Sequence, residues 1–336
     1  MIFLFYLFKA KIVSIFVIVL ILKMIFSYFI FALDVDIGLN YGAEIQQYEI
    51  SPYPGMPLSK LSFSDSGVYP TLRLTYSMRR FQNALEVNYV SNQFLETRFS
   101  DIDYDLSREY SSVFNTEGQE DIRSSAYFKK KGWRFLYTLD YHIRSFFKMK
   151  VYSRIGFYYA QTRYLVYDAK QWYPSSEIFY DNNGVVAKKS TVFDSEDSSR
   201  LIPGDVLSYD TVFYGPLFGA KTQINFNKVV LQLGFLWSPF LTIQDNDYHI
   251  LRDKVSGAVH EGRFLNGDIS VMTSFFERFD LQCTFFGTSI IGHSGGQTQT
   301  TYEDSTLAVV KNEVPGIPHS FYSFYYGFRM EMRYNF

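Results

Sequence analysis

The sequence predicts an all-β fold, a ten-stranded antiparallel transmembrane β-barrel with long extracellular loops. Three observations predict it: an export signal at the amino terminus, a repeated alternation of apolar and polar residues, and connections that alternate between short and long. Aromatic residues make up 19% of the 336 residues, yet apolar and polar residues are mixed along the chain. Such mixing is typical of strands with one apolar and one polar face.

The amino-terminal segment, residues 1–32, is interpreted as a secretory signal peptide. Two lysines precede the apolar run IVSIFVIVLILKMIFSYFIFA, which ends at the small residue Ala32 and is followed by LDVD. This order of charge, apolar stretch and small residue is typical of export signals. A retained transmembrane helix is the alternative, because the run is long enough to span a bilayer despite Lys23. Residues 33–336 then form one barrel domain.

Ten segments after residue 33 show the alternation expected of strands, whose successive side chains lie on opposite faces. The last segment is the clearest, because aromatic residues and methionines occupy every second position from Tyr322 to Phe336. The segment that contains Lys129, Lys130 and Lys131 alternates least well. The predicted strands are 34–50, 67–80, 82–98, 121–139, 149–166, 207–224, 228–244, 260–275, 279–292 and 319–336.

The connections between these segments alternate in length, as short periplasmic turns and long external loops do in bacterial outer-membrane barrels. Ten strands enclose a lumen too narrow for an open porin, so function is expected in the loops or at the upper rim. The short connections fall near 81 and at 140–148, 225–227 and 276–278, and the long ones at 51–66, 99–120, 167–206, 245–259 and 293–318.

Composition and isolated motifs exclude several classes of function. The net charge of −2 and the small basic clusters argue against nucleic acid as a partner. The single cysteine, Cys283, excludes an internal disulfide and a cysteine-built zinc site, and it lies in an alternating apolar run as a small hydrophobe. The GHSGG stretch matches the Gly-x-Ser-x-Gly pattern of hydrolases, but no amphipathic helix follows Ser294 as that motif requires. We expect its glycines to end a strand and open a polar loop.

The segment TIQDNDYHIL contains three chemically active residues at every second position, Asp245, Asp247 and His249. In extended backbone these side chains share one face at a spacing of about 6 to 7 Å. A carboxylate beside an imidazole fixes its tautomer and raises its basicity, which suits a general base. We name residues 245–249 the DNDYH motif; a solvated loop with ordinary acidic residues is the alternative interpretation.

A second acidic segment, SDIDYD, follows another predicted strand. It places Asp101 and Asp103 at the same spacing, and we name residues 101–103 the DID motif. Two carboxylates held close together can share a proton or hold a water molecule. Facing the DNDYH motif, they would form a site that activates water for attack on a carbonyl group.

The strand alternation conflicts with this arrangement. Continued through Leu233 and Trp237, it places the DNDYH motif on the lipid-facing side, and the third strand does the same to the DID motif. A bulge or bend is therefore predicted in each strand. Pro239 is the expected position in one strand, because proline interrupts ladder pairing, and a shift near Phe94 and Leu95 is expected in the other.

The two motifs together resemble those of the omptins, outer-membrane proteases of Gram-negative bacteria built as ten-stranded barrels. The family's Asp-x-Asp followed by an aromatic residue is matched by the DID motif and Tyr104, and its Asp-Asn-Asp-x-His by the DNDYH motif. The resemblance covers most of residues 34–336, and HILRD, KGW, YGPLFG and the terminal Phe336 add to it. It implies a location in the bacterial outer membrane, with the active site facing the cell exterior.

The resemblance implies an aspartic-type endopeptidase that hydrolyses exposed polypeptides without a covalent acyl-enzyme. His249 would be the general base, oriented by Asp247. Asp101 and Asp103 would hold the attacking water and stabilise the transition state. We expect no metal, no cofactor other than the lipid described below, and a monomer.

The resemblance also implies an acidic pocket that selects a basic side chain before the scissile bond. Asp245 matches one carboxylate of that pocket. Glu44 is a candidate for the other, with Gln47 and Glu49 nearby, because no ungapped alignment places a glutamate there. The preference for basic residues is therefore a weaker expectation than peptidase activity.

Lipopolysaccharide is implied as an activator bound to the outer face. The family's Tyr-x-Glu-x-Arg element is matched by Tyr159, Gln161 and Arg163, with glutamine in place of glutamate. Arg263 supplies another cation by position, whereas a further basic residue aligns with Val212. These differences predict a weakened or altered dependence on lipopolysaccharide.

Two other functions stay open at the level of sequence. The first is a non-catalytic barrel of the same family that acts as an adhesin or loop-mediated binding protein, with residues 181–200 as the contact surface. It is favoured if the catalytic side chains do not converge. The second is a small channel.

Overall fold

The computed structural model describes residues 32–50, 59–91, 97–105, 119–172, 175–180, 186–192, 199–250, 254–303 and 308–335. The predicted signal peptide lies outside these residues except for Ala32, with which the first strand begins. In the described part of the chain, no helix is long and apolar enough to cross a membrane. The strands there are β1 (Ala32–Ile50), β2 (Ser59–Met78), β3 (Phe81–Ser91), β4 (Thr97–Asp105), β5 (Gln119–Phe146), β6 (Met149–Trp172), β7 (Ser175–Tyr180), β8 (Val186–Val192), β9 (Ser199–Phe226), β10 (Val229–His249), β11 (Lys254–Phe276), β12 (Phe279–Glu303) and β13 (Ala308–Asn335).

All of these strands except β7 and β8 form one antiparallel sheet that closes on itself. β1 pairs with β13 on one side and with β2 on the other, which closes the ring. β3 and β4 together form one arm, because both pair with β2 and with β5. The predicted ring of ten antiparallel strands is therefore confirmed. β7 and β8 pair only with each other in the described residues, as a hairpin between β6 and β9.

The short connections are two-residue turns at one end of the barrel, at 79–80, 147–148, 227–228 and 277–278. Three of them begin with a residue in the left-handed region, Arg79, Phe147 and Asn227, with φ near 50°. Such turns match the twist of the paired strands. Both ends of the described ring lie here too, because Asp34 pairs with Asn335. We call this the turn end.

The strands extend further from the turn end than the alternation predicts. The predicted loop 293–318 is largely strand, since β12 runs to Glu303 and β13 starts at Ala308. The GHSGG stretch lies inside β12 instead of ending it, with a shift of register between Ser294 and Gly296. Backbone pairing continues there because it does not depend on which side chains are apolar. The alternation of apolar and polar residues therefore ends before the strand does.

An apolar belt surrounds the barrel near the turn end. On β13, most residues at even positions from Tyr322 to Met332 are exposed, whereas Arg329, Glu331 and Arg333 are buried. Exposed apolar and buried charged side chains are the reverse of a soluble protein and are expected of a barrel wall that faces lipid. The predicted faces of this strand are confirmed.

Strand pairing also settles two weaker sequence assignments. The segment with three lysines lies within β5, where Lys129, Lys130 and Lys131 pair with residues of β6. Cys283 pairs with Val271 and Met330, both of which are exposed on the belt. Its thiol therefore belongs to the lipid-facing side, as a small hydrophobe.

Buried ion pairs fill the lumen near the turn end. Arg333 Nε lies 2.6 Å from Asp36 Oδ1, and Arg154 Nε lies 2.6 Å from Asp140 Oδ1. Further along the lumen, aromatic side chains replace them: the Phe63 ring lies 5.2 Å from that of Tyr209. This buried cluster also includes Phe99, Phe128, Tyr164, Phe213, Leu217, Ile243 and Phe321. The candidate site lies at the end of the lumen beyond it.

Candidate active site

A bulge in β10 turns the DNDYH motif into the lumen. Before it Trp237 is exposed and Leu236 buried, whereas after it Leu241 and Asp245 are buried. The register with β11 shifts between Ser238 and Leu241, and the register with β9 shifts in the same place, by one extra residue of β10. One extra residue moves all following side chains to the opposite face. The bulge predicted at Pro239 is therefore confirmed.

A second interruption turns the DID motif inward. In β3 the buried residues are at even positions, such as Asn88, whereas in β4 Thr97 and Phe99 are buried. Asn88 and Thr97 both pair with residues of β2. The chain from Asn88 to Thr97 is longer than the stretch of β2 between their two partners, and the difference is an odd number of residues. The predicted change of face is therefore present. Phe94 and Leu95, where the shift is predicted, lie outside the described residues.

Asp247 and His249 form a hydrogen-bonded pair at the far end of β10. Asp247 Oδ2 lies 2.9 Å from His249 Nε2, and the side chains are 10% and 25% exposed. The imidazole is therefore oriented by the carboxylate while part of the ring stays accessible. In neutral form, with Nε2 donating to Asp247, the ring has Nδ1 as its proton acceptor.

The DID motif and the dyad meet in one cavity. A cavity of about 210 Å³ is lined by Asp101, Asp103 and His249 together. Asp247 reaches it through its bond to His249. Four residues from two distant parts of the chain are thus brought together, which the sequence alone left open. The other lining residues are Phe99, Ser124, Ala169, Gln171, Ile202, Val206 and Leu207.

Asp245, the third acidic member of the motif, lies in a different environment. Its Oδ2 is 2.6 Å from Nε2 of His260 on β11, and both side chains are almost fully buried. A second histidine, His319 on β13, is bound through Nδ1 to the hydroxyl of Tyr48 at 2.7 Å. The ring of His260 lies 6.1 Å from each of these two rings. We call Tyr48, Asp245, His260 and His319 the histidine cluster.

Burial shifts the pKa values within the histidine cluster. It raises the pKa of the Asp245 carboxyl, although the hydrogen bond to His260 acts in the opposite direction. It lowers the pKa of His319 to about 4, with a second contribution from the charge of His260. These groups lie beyond the apolar belt, where the outward neighbours of Asp245 are the polar residues Gln244 and Asn246.

The structure places Glu44 away from this cluster. Its carboxylate binds Lys130 and lies 2.5 Å from Nη2 of Arg134, and Lys130 also binds Asp65 at 3.1 Å. Two cations from β5 therefore neutralise Glu44 deep in the lumen. These contacts do not support an acidic pocket shared by Glu44 and Asp245. Tyr48, on the same strand as Glu44, belongs to the histidine cluster and binds His319.

Comparison with known proteins finds similarity in structure but not in sequence. No family model and no curated protein sequence matches the chain. The outer membrane protease OmpT from Escherichia coli superposes with a TM-score of 0.70 over 91% of this chain and 97% of that chain, at 10% identity. The translocator domain of the autotransporter NalP from Neisseria meningitidis gives a TM-score of 0.34 over 91% and 88% of the two chains, at 9% identity.

This chain has the fold of an outer-membrane β-barrel. At such low identity the likeness to OmpT shows the fold alone. The functional assignment of the site therefore depends on its own geometry.

The residues expected to bind lipopolysaccharide lie on the outer, lipid-facing wall. The Tyr159 hydroxyl donates to Gln161 Oε1 at 3.4 Å. Arg163 donates to both carboxylate oxygens of Asp210 on β9, at 2.6 and 2.7 Å. Arg263 is exposed on β11. The predicted face of this element is correct, but its arginine is already engaged by a carboxylate.

His260 and His319 are the site-adjacent residues that sequence reasoning missed. Neither lies in a motif, and they are far apart in the chain. The alternation of β11 and β13 is the signal that could have found them, because it places both histidines on the face opposite the apolar belt. Both are buried there, and a buried histidine requires a polar partner.

Proposed function

We propose that this chain is an omptin-like endopeptidase of the bacterial outer membrane that hydrolyses exposed polypeptides. The observation that carries the proposal is the convergence of Asp101, Asp103 and His249 on one cavity, with His249 bonded to Asp247 at 2.9 Å. The cavity lies at the end of the barrel opposite the turns. In a barrel with periplasmic turns, that end faces the cell exterior.

In the proposed reaction a water molecule in the cavity attacks the peptide carbonyl carbon. His249 Nδ1 takes the proton of this water, and Asp247 stabilises the imidazolium that forms. Asp101 and Asp103 hold and orient this water and so stabilise the transition state of its attack. As the carbon–nitrogen bond breaks, His249 returns its proton to the leaving amine. The products are a carboxylic acid, which ionises by releasing its proton to solvent, and a free amine, and no covalent enzyme intermediate forms.

Cleavage of fluorogenic peptides by the refolded barrel tests the proposal. The substrates are a peptide with an Arg-Arg bond, a peptide with an Arg-Lys bond and a wider peptide library. Each is assayed with and without lipopolysaccharide. We expect cleavage by the parent and loss of cleavage in His249→Ala. The matched control is His142→Ala, because His142 lies at the turn end, where it bonds Ser145. Heat-modifiable migration on a gel establishes that each variant is folded.

The serine in the cavity provides a second discrimination. Ser124 Oγ accepts a hydrogen bond from Gln171 Nε2 at 3.1 Å. Hydrolysis by activated water predicts that a serine-reactive fluorophosphonate leaves the rate unchanged. Stoichiometric labelling of Ser124 with loss of activity would instead indicate an acyl-enzyme.

Two outcomes would favour the other functions. A folded parent that cleaves no peptide of the library would favour a non-catalytic adhesin. Conductance across a planar bilayer would favour a channel. The aromatic cluster that fills the lumen argues against conductance.

A further inference from the structure

Asp245 is closed off from the cavity of the proposed site. Its carboxylate is paired with His260 at 2.6 Å, and the two side chains are 2% and 0% exposed. The rings of Tyr48, His319 and Phe321 surround His260 at 6.1 to 6.2 Å. Among the described residues that line the cavity, Asp245 does not occur. A cationic substrate side chain would have to displace a buried histidine to reach this carboxylate.

The cavity has an apolar wall formed mainly by β6 and β9. Ala169 pairs with Ile202, and Val206 and Leu207 continue the wall. The polar residues on this side, Ser124 and Gln171, bond each other. The charged residues Asp101, Asp103 and His249 come from β4 and β10 instead. Most of the apolar surface thus comes from β6 and β9, and Phe99 adds to it from β4.

The size of the cavity suits one large apolar side chain. Its volume is about 210 Å³. For comparison, an apolar protein cavity of about 150 Å³ accommodates benzene. A branched aliphatic or aromatic side chain therefore fits against the wall while the peptide bond lies near the charged residues.

We propose that this cavity, and not Asp245, selects the substrate, and that it selects an apolar side chain such as Leu or Phe beside the scissile bond. The inference rests on the proposed endopeptidase function. Asp245 and His260 then act as a positioning pair that ties β10 to β11 two residues before Asp247. Asp101 and Asp103 keep their proposed role toward the attacking water.

Peptides that differ only in the residues flanking one bond test the inference. Leu, Phe, Arg, Lys and Asp are placed in turn on each side of the bond, and mass spectrometry locates the cut made by the refolded full chain. We expect kcat/KM for the best apolar peptide to exceed that for its Arg and Lys equivalents by about 10-fold or more, as apolar pockets commonly discriminate.

Two kinds of variant connect this preference to the structure. Val206→Trp fills the cavity, so we expect KM for the apolar peptides to rise about 10-fold, with a much smaller change for Arg peptides. Ile202→Trp is the second variant if Val206→Trp fails to fold. His260→Gln removes the imidazole that covers Asp245, so we expect cleavage of the Arg and Lys peptides to increase relative to the apolar ones.

The outcomes separate this inference from the function on which it rests. A parent that prefers Arg or Lys peptides, with Val206→Trp unchanged, overturns the inference and leaves the endopeptidase in place. An apolar preference that neither cavity variant alters also overturns it. No cleavage of any peptide by the folded parent overturns both.

Discussion

The two ends of the lumen both bury carboxylates, but they pair them with different side chains. Near the turn end, Asp36 meets Arg333 and Asp140 meets Arg154, each at 2.6 Å. At the far end, Asp247 meets His249 at 2.9 Å. A guanidinium is always charged, whereas an imidazole gains and loses its proton near neutral pH. The turn end therefore holds permanent ion pairs, and the far end holds the titratable pair that the proposed reaction requires.

The difference follows the position of each region relative to lipid. Around the turn end the wall is apolar outside, as at Ile37 and Met332, so charged residues of these strands point into the lumen. There they must find partners, because an unpaired buried charge is costly. Beyond the belt, the bulge at Pro239 selects which face of β10 lines the lumen. We therefore expect changes at the turn end to affect stability and changes at the far end to affect the proposed activity.

The largest expected effect is on activity at the far end. Asp247→Ala removes the carboxylate that orients His249, so we expect kcat to fall by about 10,000-fold, as in other Asp–His pairs. Unfolding by urea should change little. Peptide cleavage and tryptophan fluorescence measure the two properties. The control is Asp210→Ala, because Asp210 lies on the outer face of β9, next to β10. Equal activity of the two variants would contradict the expected role of the far end.

The next effect is on stability at the turn end. Asp140 accepts bonds from Arg154 at 2.6 Å and from Lys221 at 3.0 Å. Asp140→Leu removes the nearest acid from both buried cations, so we expect the free energy of unfolding to fall by about 3 to 5 kcal/mol. Urea unfolding in lipid vesicles measures this.

The control for that variant is Asp268→Leu. The Asp268 carboxylate is partly exposed and lies 3.9 Å from Arg154, so its loss should cost less. Catalysis by the folded fraction should be the same in both variants. A loss of kcat in Asp140→Leu at unchanged stability would mean that the two regions are not separate.

Much of this fold follows from the sequence, because alternation and turn spacing are local signals. The bulge at Pro239 is predictable as well, since the DNDYH motif faces the wrong way without it. The strand ends are not predictable, and the expected loop 293–318 shows why. Backbone pairing does not require one face to be apolar, so nothing in the local pattern marks where that pairing stops.

The candidate site divides in the same way. The two motifs identify Asp101, Asp103 and His249 as candidates, but the sequence leaves their convergence open. The pairing of Asp245 with His260 is not predictable, because it depends on how β10 and β11 align after the bulge. A shift of one residue would place His260 on the other face. Glu44 could not be placed for a related reason: its partners come from β5, which is distant in sequence.

A smaller effect on stability is expected within the histidine cluster. Tyr48→Phe removes the hydroxyl that binds His319 Nδ1 at 2.7 Å and leaves that buried nitrogen without its partner. We expect a loss of about 1 to 3 kcal/mol in urea unfolding. Tyr209→Phe is the control, because the Tyr209 hydroxyl has no hydrogen-bond partner among the described residues. Equal losses in the two variants would show that the hydrogen bond contributes nothing.

The smallest effect is expected on the outer wall, where the pair of Arg163 and Asp210 has geometry as good as that of the lumen pairs. Its two bonds are 2.6 and 2.7 Å long, but the side chains are 54% and 29% exposed. Solvent and headgroup ions screen such a pair, so Arg163→Gln should cost about 1 kcal/mol or less. Arg154→Gln, which leaves Asp140 buried with one cation fewer, should cost several times more. Urea unfolding of the two variants in the same vesicles compares them directly. The bond lengths of the two pairs hardly differ. Unequal losses in the free energy of unfolding would therefore show that burial stabilises the turn end, and equal losses would contradict that explanation.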